Sequence, residues 1–396
     1  MSNTIAITGL GILSALGVGV ASNKDKLLKS ESGLGQLKSI HSIHSENAIV
    51  GEVPVSNAAL SKLLHLPNDH NFTRTALLGS LAAKEALTQS RIQDVNEVKT
   101  GFISATTVGG MDKTEQYFKD FGHNTSAQKY IASHHAGDST QKIAELLGIT
   151  HFTTTISTAC SSAANAILLG GRMIRAGMLD RVIVGGTDAL SKFTLNGFHS
   201  LLLLSDSHCK PFDANRNGLN LGEAAAYLVL ESVKAAQGKP VLAYLSGYGN
   251  ANDAFHQTAS SEEGTGAYLA MKAALQSAEL LPSEIQYVNA HGTATPNNDL
   301  SESRALQRVF GSQMPAISST KPFTGHTLAA AGAVEAVFSV LALETQAVFA
   351  NLNFEMPIPE IGIIPETHLQ EQPIQHVLSN SFGFGGNCSS LVFSSS

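Results

Sequence analysis

Cys160, His291, Glu302, Lys321 and His326 are side chains suited to chemistry, and all but Glu302, which lies within a helix, stand where one expected element gives way to the next. Cys160 lies in TTTISTACSSAANAILLGG, where β-branched residues stop and helix formers begin. That junction puts the thiol at or near a helix N-terminus, where free amides and the macrodipole favour a thiolate. A neighbouring backbone N–H could also bind an oxyanion. The competing reading is a buried cysteine serving as a small hydrophobe.

His291, in NAHGTATPNND, follows an apolar strand and precedes a glycine. Ligand sites of parallel sheets collect at such strand ends, though a satisfied structural histidine fits the same pattern. Thr293 and Thr295 add hydroxyls to the loop, where turn chemistry would explain them equally well. In SSTKPFTGHTLAAAGAVEA, Lys321 precedes a proline and His326 heads a helix of Ala, Gly and Leu. Polar groups beside so apolar a helix are costly unless paired. Glu302, on the helix after the His291 loop, is the expected partner of Lys321; a surface lysine is the alternative. In NSFGFGGNCSSLVF, glycines alternate with Phe382 and Phe384, a backbone suited to close approach with aromatic plugs beside it.

The elements that must position these groups alternate. A strand opens the chain in NTIAITGLGIL, and strands are expected in VKTGFISATTVGGM, HFTTTIS and DRVIVGGTDA. Between them fall helices, among them STQKIAELLGI, with Ser139 and Gly148 as its caps. After the exposed join SVKAAQGKP the same order resumes. The expected fold class is α/β, in two similar halves, 1–238 and 239–396, with a site between them.

Composition narrows the function classes. Of 396 residues, 43% are hydrophobic and 14% charged, which describes a filled core. A net charge of −7 speaks against nucleic acid as a partner, and three cysteines without metal-ligand spacing speak against a disulfide framework. ITGLGILSALGVGVAS lacks the basic start of a signal sequence, and no run reads as a membrane span, so a cytoplasmic protein is expected.

Together TAC, HGTATP, KPFTGHTLAAAG and NSFGFGG, in this order, resemble the elongating β-ketoacyl-acyl-carrier-protein synthases of the thiolase superfamily, from the opening AITGLG to the closing SFGFGG. The resemblance implies a thiolase fold, layered αβαβα, whose first half carries the nucleophile and whose second carries the two histidines and the lysine. It implies an acyltransferase that joins a Cys160-bound acyl chain to malonyl-acyl-carrier protein by decarboxylative Claisen condensation. His291 and His326 would stabilise the enolate. Lys321, paired with Glu302, would orient them, and the backbone N–H groups of Cys160 and Phe384 would form the oxyanion hole. Thr293 and Thr295 match positions contacting the phosphopantetheine arm. Phe384 matches the gating phenylalanine, Phe382 lies beside it, and Val108 matches an acyl-pocket position. Asn289, Glu335 and Asn380 match a monovalent-cation site.

No cofactor is implied beyond the phosphopantetheine of the carrier. The implied partners are an acyl carrier protein and a second synthase-like subunit, as homodimer or heterodimer. Lys62, Arg74 and Lys210 are candidates for a positive rim that receives the acidic carrier. His326 separates the chain from initiating synthases, which carry asparagine there, and Cys388 lacks a thiolase-like setting. A chain-length-determining subunit and a non-decarboxylating thiolase remain the alternatives. LNGFHSLLLLSDSHCKPFDANRNGLNLGEAA is similar to synthases of bacterial aryl polyene pigments. Asn387 and Cys388 stand where the family has Thr and Asn, which puts any carrier-arm contact of that pair in doubt.

Overall fold

The computed structural model describes residues 4–396. Ile5–Ser14 (β1) is buried along its whole length, as a strand covered on both faces must be. The first half continues with Thr100–Ala105 (β2), Phe152–Ile156 (β3), Arg181–Asp188 (β4) and Ala224–Ser232 (β5). The second has Ala243–Asn252 (β6), Tyr287–Asn289 (β7), Ala316–Ser318 (β8), His376–Phe382 (β9) and Asn387–Ser395 (β10).

These strands join in the order β3-β2-β4-β5-β1-β6-β10-β9-β7-β8. Reading outward from the middle, β1, β5, β4, β2 and β3 are mirrored by β6, β10, β9, β7 and β8. In both halves the two inner pairings are antiparallel and the two outer ones parallel. β1 and β6 link the halves through the pairs Ile5↔Leu245, Ala6↔Tyr244 and Ile7↔Ala243. The repeat expected from element order is thus a repeat of topology.

The helices supply the layers. Arg74–Gln89 (α1) and Gly137–Leu147 (α2) cover the first half on the outside. Ser162–Arg175 (α3), followed in sequence by Lys192–Ser200 (α4), lies inside. Thr265–Ala278 (α5) and Pro296–Phe310 (α6) cover the second half, and Ala331–Thr345 (α7) packs with α3 between the halves. This is the layered αβαβα thiolase fold.

Two expectations change. α2 begins at Gly137, so Ser139 lies inside it and donates to the Ala136 carbonyl at 3.2 Å, whereas Gly148 does close it with φ 70°. Leu328–Thr345 is long and apolar enough to cross a membrane, and is the only such helix among the described residues. Its hydrophobicity serves the core instead: 89% of the stretch is buried.

Candidate active site

Every chemistry-bearing segment leaves the sheet at the carboxyl end of a parallel strand, where exposed backbone groups and loop freedom allow a site. β3 leads to Cys160, β7 to His291, β8 to Lys321 and β9 to Phe384. Cys160 comes from the first half and the others from the second.

Ala159 adopts φ 52°, a left-handed conformation rare for a residue with a side chain, and so aims Cys160 out of the turn before α3. Thr158 N–H donates to Ser162 Oγ at 2.8 Å, and Ser162 N–H to the Ala159 carbonyl at 3.1 Å, which hold the turn. The thiol is only 6% exposed. Burial pushes it up to about 11, against the pull of Lys321 and of the backbone N–H groups of Phe384 and Cys160 itself. The expected thiolate preference of a helix N-terminus is therefore overridden in the resting site, because desolvation outweighs the dipole. Both N–H groups nevertheless point at the sulfur, where they stabilise negative charge.

The two imidazoles stand edge to face, with ring centroids 5.5 Å apart. Leu328 N–H donates to His326 Nδ1 at 3.3 Å, which leaves the proton of the neutral ring on Nε2. Lys321 Nζ lies 3.3 Å from His291 Nδ1, so that nitrogen too is the acceptor and Nε2 carries hydrogen. Burial and the nearby Lys321 charge hold both rings well below 6.5, hence neutral. His326 is fixed through its backbone: its N–H donates to the Asn220 carbonyl at 2.7 Å, and Gly222 N–H donates back at 2.9 Å. Glycine is required beside this segment. A Cβ at Gly51 or Gly222 would lie 1.9 Å or 2.1 Å from the Thr324 carbonyl oxygen.

The expected Lys321–Glu302 pair does not form. Lys321 pairs with Glu335 of α7 and also donates to the His291 carbonyl. Glu302 instead accepts the backbone N–H groups of His291 at 2.9 Å and Gly292 at 2.8 Å, pinning the histidine loop. Burial pushes its carboxyl up to about 7. The signal for Glu335 was present: it is the only charged residue between Ala331 and Leu343, and a buried charge demands a partner.

Asn289, Glu335 and Asn380 are buried and neighbouring, but their polar atoms are spent on the protein. Asn289 Nδ2 donates to the Glu335 carbonyl at 3.3 Å, and Glu335 takes Lys321 and the Ser381 hydroxyl. Asn380 Nδ2 donates to Glu302 at 3.1 Å, while its Oδ1 accepts Ser390 at 2.8 Å. The trio fits a brace beneath the imidazoles rather than a cage of free oxygens for a cation.

Two cavities meet at Cys160. One, of about 290 Å³, is lined by Cys160, His291, His326, Thr293, Thr295, Phe382 and Phe384, and by Cys388. The Thr293 and Thr295 hydroxyls lie 2.9 Å apart on its wall. The other, of about 230 Å³, is walled by Val108, Phe193, Phe198, Leu201, Leu328 and Phe384. Phe198 and Phe384 stack at 5.9 Å where the two adjoin. Asp188 was missed by sequence reasoning. Its carboxylate accepts from Thr106, from Thr107 and from Ala329 N–H at 3.0 Å, tying the Val108 loop to the turn after His326.

Of the three cations expected at a rim, Arg74 is not free to meet a carrier. Its side chain is only 12% exposed and is held by the Glu223 carboxylate and the Val53 and Val55 carbonyls, and Glu223 also accepts Val53 N–H at 3.0 Å. Lys210 pairs with Glu355 at 2.7 Å, and Lys62 is exposed on the helix Asn57–Leu63.

A buried thiol that shares one cavity with two neutral imidazoles and opens on a second, apolar one is the site of a thiolase-fold acyltransferase. Family profiles agree: the β-ketoacyl synthase N-terminal domain matches residues 2–236 and the C-terminal domain residues 242–355. The chain belongs to the β-ketoacyl synthase family. It is 32% identical to 3-oxoacyl-(acyl-carrier-protein) synthase 2 of Staphylococcus aureus strain COL, over 98% of this chain and 97% of that protein. The enzyme of the same name from Vibrio harveyi is 31% identical, over 98% of each chain. Among solved structures, a ketosynthase in complex with its chain length factor from Xenorhabdus doucetiae has a TM-score of 0.85 at 32% identity, covering 99% of this chain and 98% of that one. The ishigamide ketosynthase/chain length factor reaches a TM-score of 0.93 at 27% identity, with 99% of each chain covered.

Proposed function

We propose that this chain is the condensing subunit of a fatty acid or polyketide elongation system, with Cys160 as nucleophile and His291 and His326 as enolate stabilisers. The observation that carries the reading is the meeting of the two cavities at Cys160, with both imidazoles lining the one that also holds Thr293 and Thr295. The larger cavity, with Thr293 and Thr295, suits a phosphopantetheine arm; the apolar one suits an acyl chain.

In the first step the Cys160 sulfur bonds to the acyl carbon of a carrier-bound thioester, and the carrier thiol leaves with the proton. The N–H groups of Cys160 and Phe384 hold the tetrahedral oxyanion. A malonyl thioester then enters. Its bond to the carboxylate breaks, carbon dioxide departs, and the electron pair becomes an enolate whose oxygen receives the two Nε2–H bonds. The enolate carbon attacks the acyl group, the bond to Cys160 breaks with its electron pair on the sulfur, and the thiolate regains a proton from water to restore the resting thiol. Lys321 positions His291, and Glu302 positions the loop that carries it. The reaction written this way calls on no group beyond the carrier's own arm.

The named complexes of relatives make an acyl carrier protein and a second thiolase-fold subunit the partners to expect. In support, Phe193 and Leu201 wall the apolar cavity yet are 58% and 48% exposed, a surface that a subunit of the same or a related chain would cover. A purely chain-length-determining role is disfavoured by the intact Cys160–imidazole arrangement. A thiolase role is disfavoured by His326 and by burial that pushes the Cys388 thiol up to about 12.

Incubation with an acyl-carrier protein should add the acyl mass to Cys160 in intact-protein spectra, and malonyl-carrier protein should then yield the ketoacyl product. Acyl-Cys160 without any condensation would refute the condensing role. His291→Ala and His326→Ala are each expected to lower carbon dioxide release from malonyl-carrier protein on the order of 10²-fold.

The pH dependence follows from the lowered imidazole pKa values. Decarboxylation should hold level as pH falls through 6.5, because both folded rings remain neutral there. The contribution of these two rings to stability should decline over the same range, since unfolded histidines gain protons below about 6.5 that folded ones do not, while Glu302, raised to about 7, works in the opposite direction. A decarboxylation profile with its acid limb centred at 6.5 or higher would contradict the assignment.

A further inference from the structure

We propose that Asn387 is a positioning residue that sets the two backbone N–H donors of the oxyanion hole relative to each other; this rests on the condensing function proposed above. Asn387 stands where the family pattern has threonine. Its side-chain carbonyl accepts from Ser161 Oγ at 2.7 Å, Asn165 Nδ2 at 2.8 Å and Asn250 Nδ2 at 3.0 Å. Ser161 follows Cys160, and Asn165 lies one turn further along α3. Asn250 comes from β6 and also donates to Asn165 Oδ1 at 2.9 Å, while Ser389 donates to that oxygen at 2.7 Å. Three amides from three separate elements therefore close on one another directly behind the nucleophile turn.

The main chain of the same residue reaches the other donor. Gly383 N–H donates to the Asn387 carbonyl at 2.8 Å, and the next residue, Phe384, supplies the second N–H of the hole. Asn387 thus holds the Cys160 turn with its side chain and the Phe384 loop with its backbone. A threonine hydroxyl is one bond nearer the backbone and presents a smaller acceptor, so it could not gather all three donors in this arrangement. Donor spacing matters because an oxyanion is stabilised only by groups already aimed at where charge develops.

The test uses steps with different needs. Acylation of Cys160 and condensation both pass through a tetrahedral oxyanion at the N–H pair. Malonyl decarboxylation in the absence of an acyl donor relies on the imidazoles. Asn387→Leu, close in shape but without an acceptor, is expected to lower kcat for acylation and condensation about 10- to 100-fold at unchanged KM. Carbon dioxide release from malonyl-carrier protein should stay at the wild-type rate. Asn387→Asp, which keeps the acceptor, should retain most of the condensation rate. Ser161→Ala, which cuts the link from its other end, should lower the same two rates as Asn387→Leu. Condensation by Asn387→Leu at the wild-type rate would overturn the proposal. So would an equal fall in condensation and decarboxylation, or an Asp variant no better than the Leu one. Failure of the functional reading would appear instead in the unaltered chain, as absence of acyl-Cys160 and of product.

Discussion

Cys160→Ala is expected to give a folded chain that accepts no acyl group and forms no condensation product. The change removes one buried sulfur, and a loss of that size costs about 1 kcal/mol of stability. The turn itself does not depend on the thiol. Ser162, Ser161 and Asn387 hold it by hydrogen bonds, and Ala159 keeps its left-handed conformation. The chemistry, in contrast, has no substitute: Cys209 and Cys388 are buried, and only Cys160 lies where both cavities and both N–H groups converge. Acyl transfer should fall by at least about 10⁴-fold, the scale seen when a covalent nucleophile is removed. Carbon dioxide release from malonyl-carrier protein should persist, because the imidazoles are untouched. Intact mass after exposure to acyl-carrier protein, with product analysis, reads both outcomes. Product formed by the alanine variant would end the assignment of Cys160.

Glu335→Ala is expected to produce the largest loss of stability. Lys321 is 3% exposed, and its partners are Glu335, the His291 carbonyl and His291 Nδ1. Without Glu335 its charge is buried and uncompensated, which costs about 3–5 kcal/mol. Denaturant unfolding would show this as a lowered midpoint at unchanged slope. Replacing both partners with apolar residues, Lys321→Met with Glu335→Leu, should recover most of the stability, since neither charge then needs solvation. The double variant should still decarboxylate poorly, because nothing holds His291 Nδ1 as an acceptor. A stable Glu335→Ala chain would show that the pair does not anchor the site.

The sequence by itself determined the order of the elements and the identity of the reactive groups. Both depend on local physics: β-branched runs form strands, and glycine and proline end them. Thiol, imidazole and ammonium groups stand out where such runs break. Cys160, His291, Lys321 and His326 stand out in this way, as does the repeated order of elements, while the roles expected of them and of Phe384 came from the resemblance of the four motifs to the β-ketoacyl synthases.

Only the tertiary structure decided the pairings and the depths. Glu302 and Glu335 were equally acidic on the page. Packing turned one toward the His291 backbone and the other toward Lys321. Arg74 looked like a surface cation until Glu223, 149 positions away, was seen to enclose it. Cys160 sits at the helix start that sequence suggested, but its depth sets the balance, and desolvation prevails over the dipole. Asn387 was visible as a departure from a pattern, while its links to Ser161, Asn165 and Asn250 arise from elements far apart in the chain. Electrostatic and hydrogen-bond partnership is fixed by distance and burial, and these exist only once the two halves have closed around their shared helices.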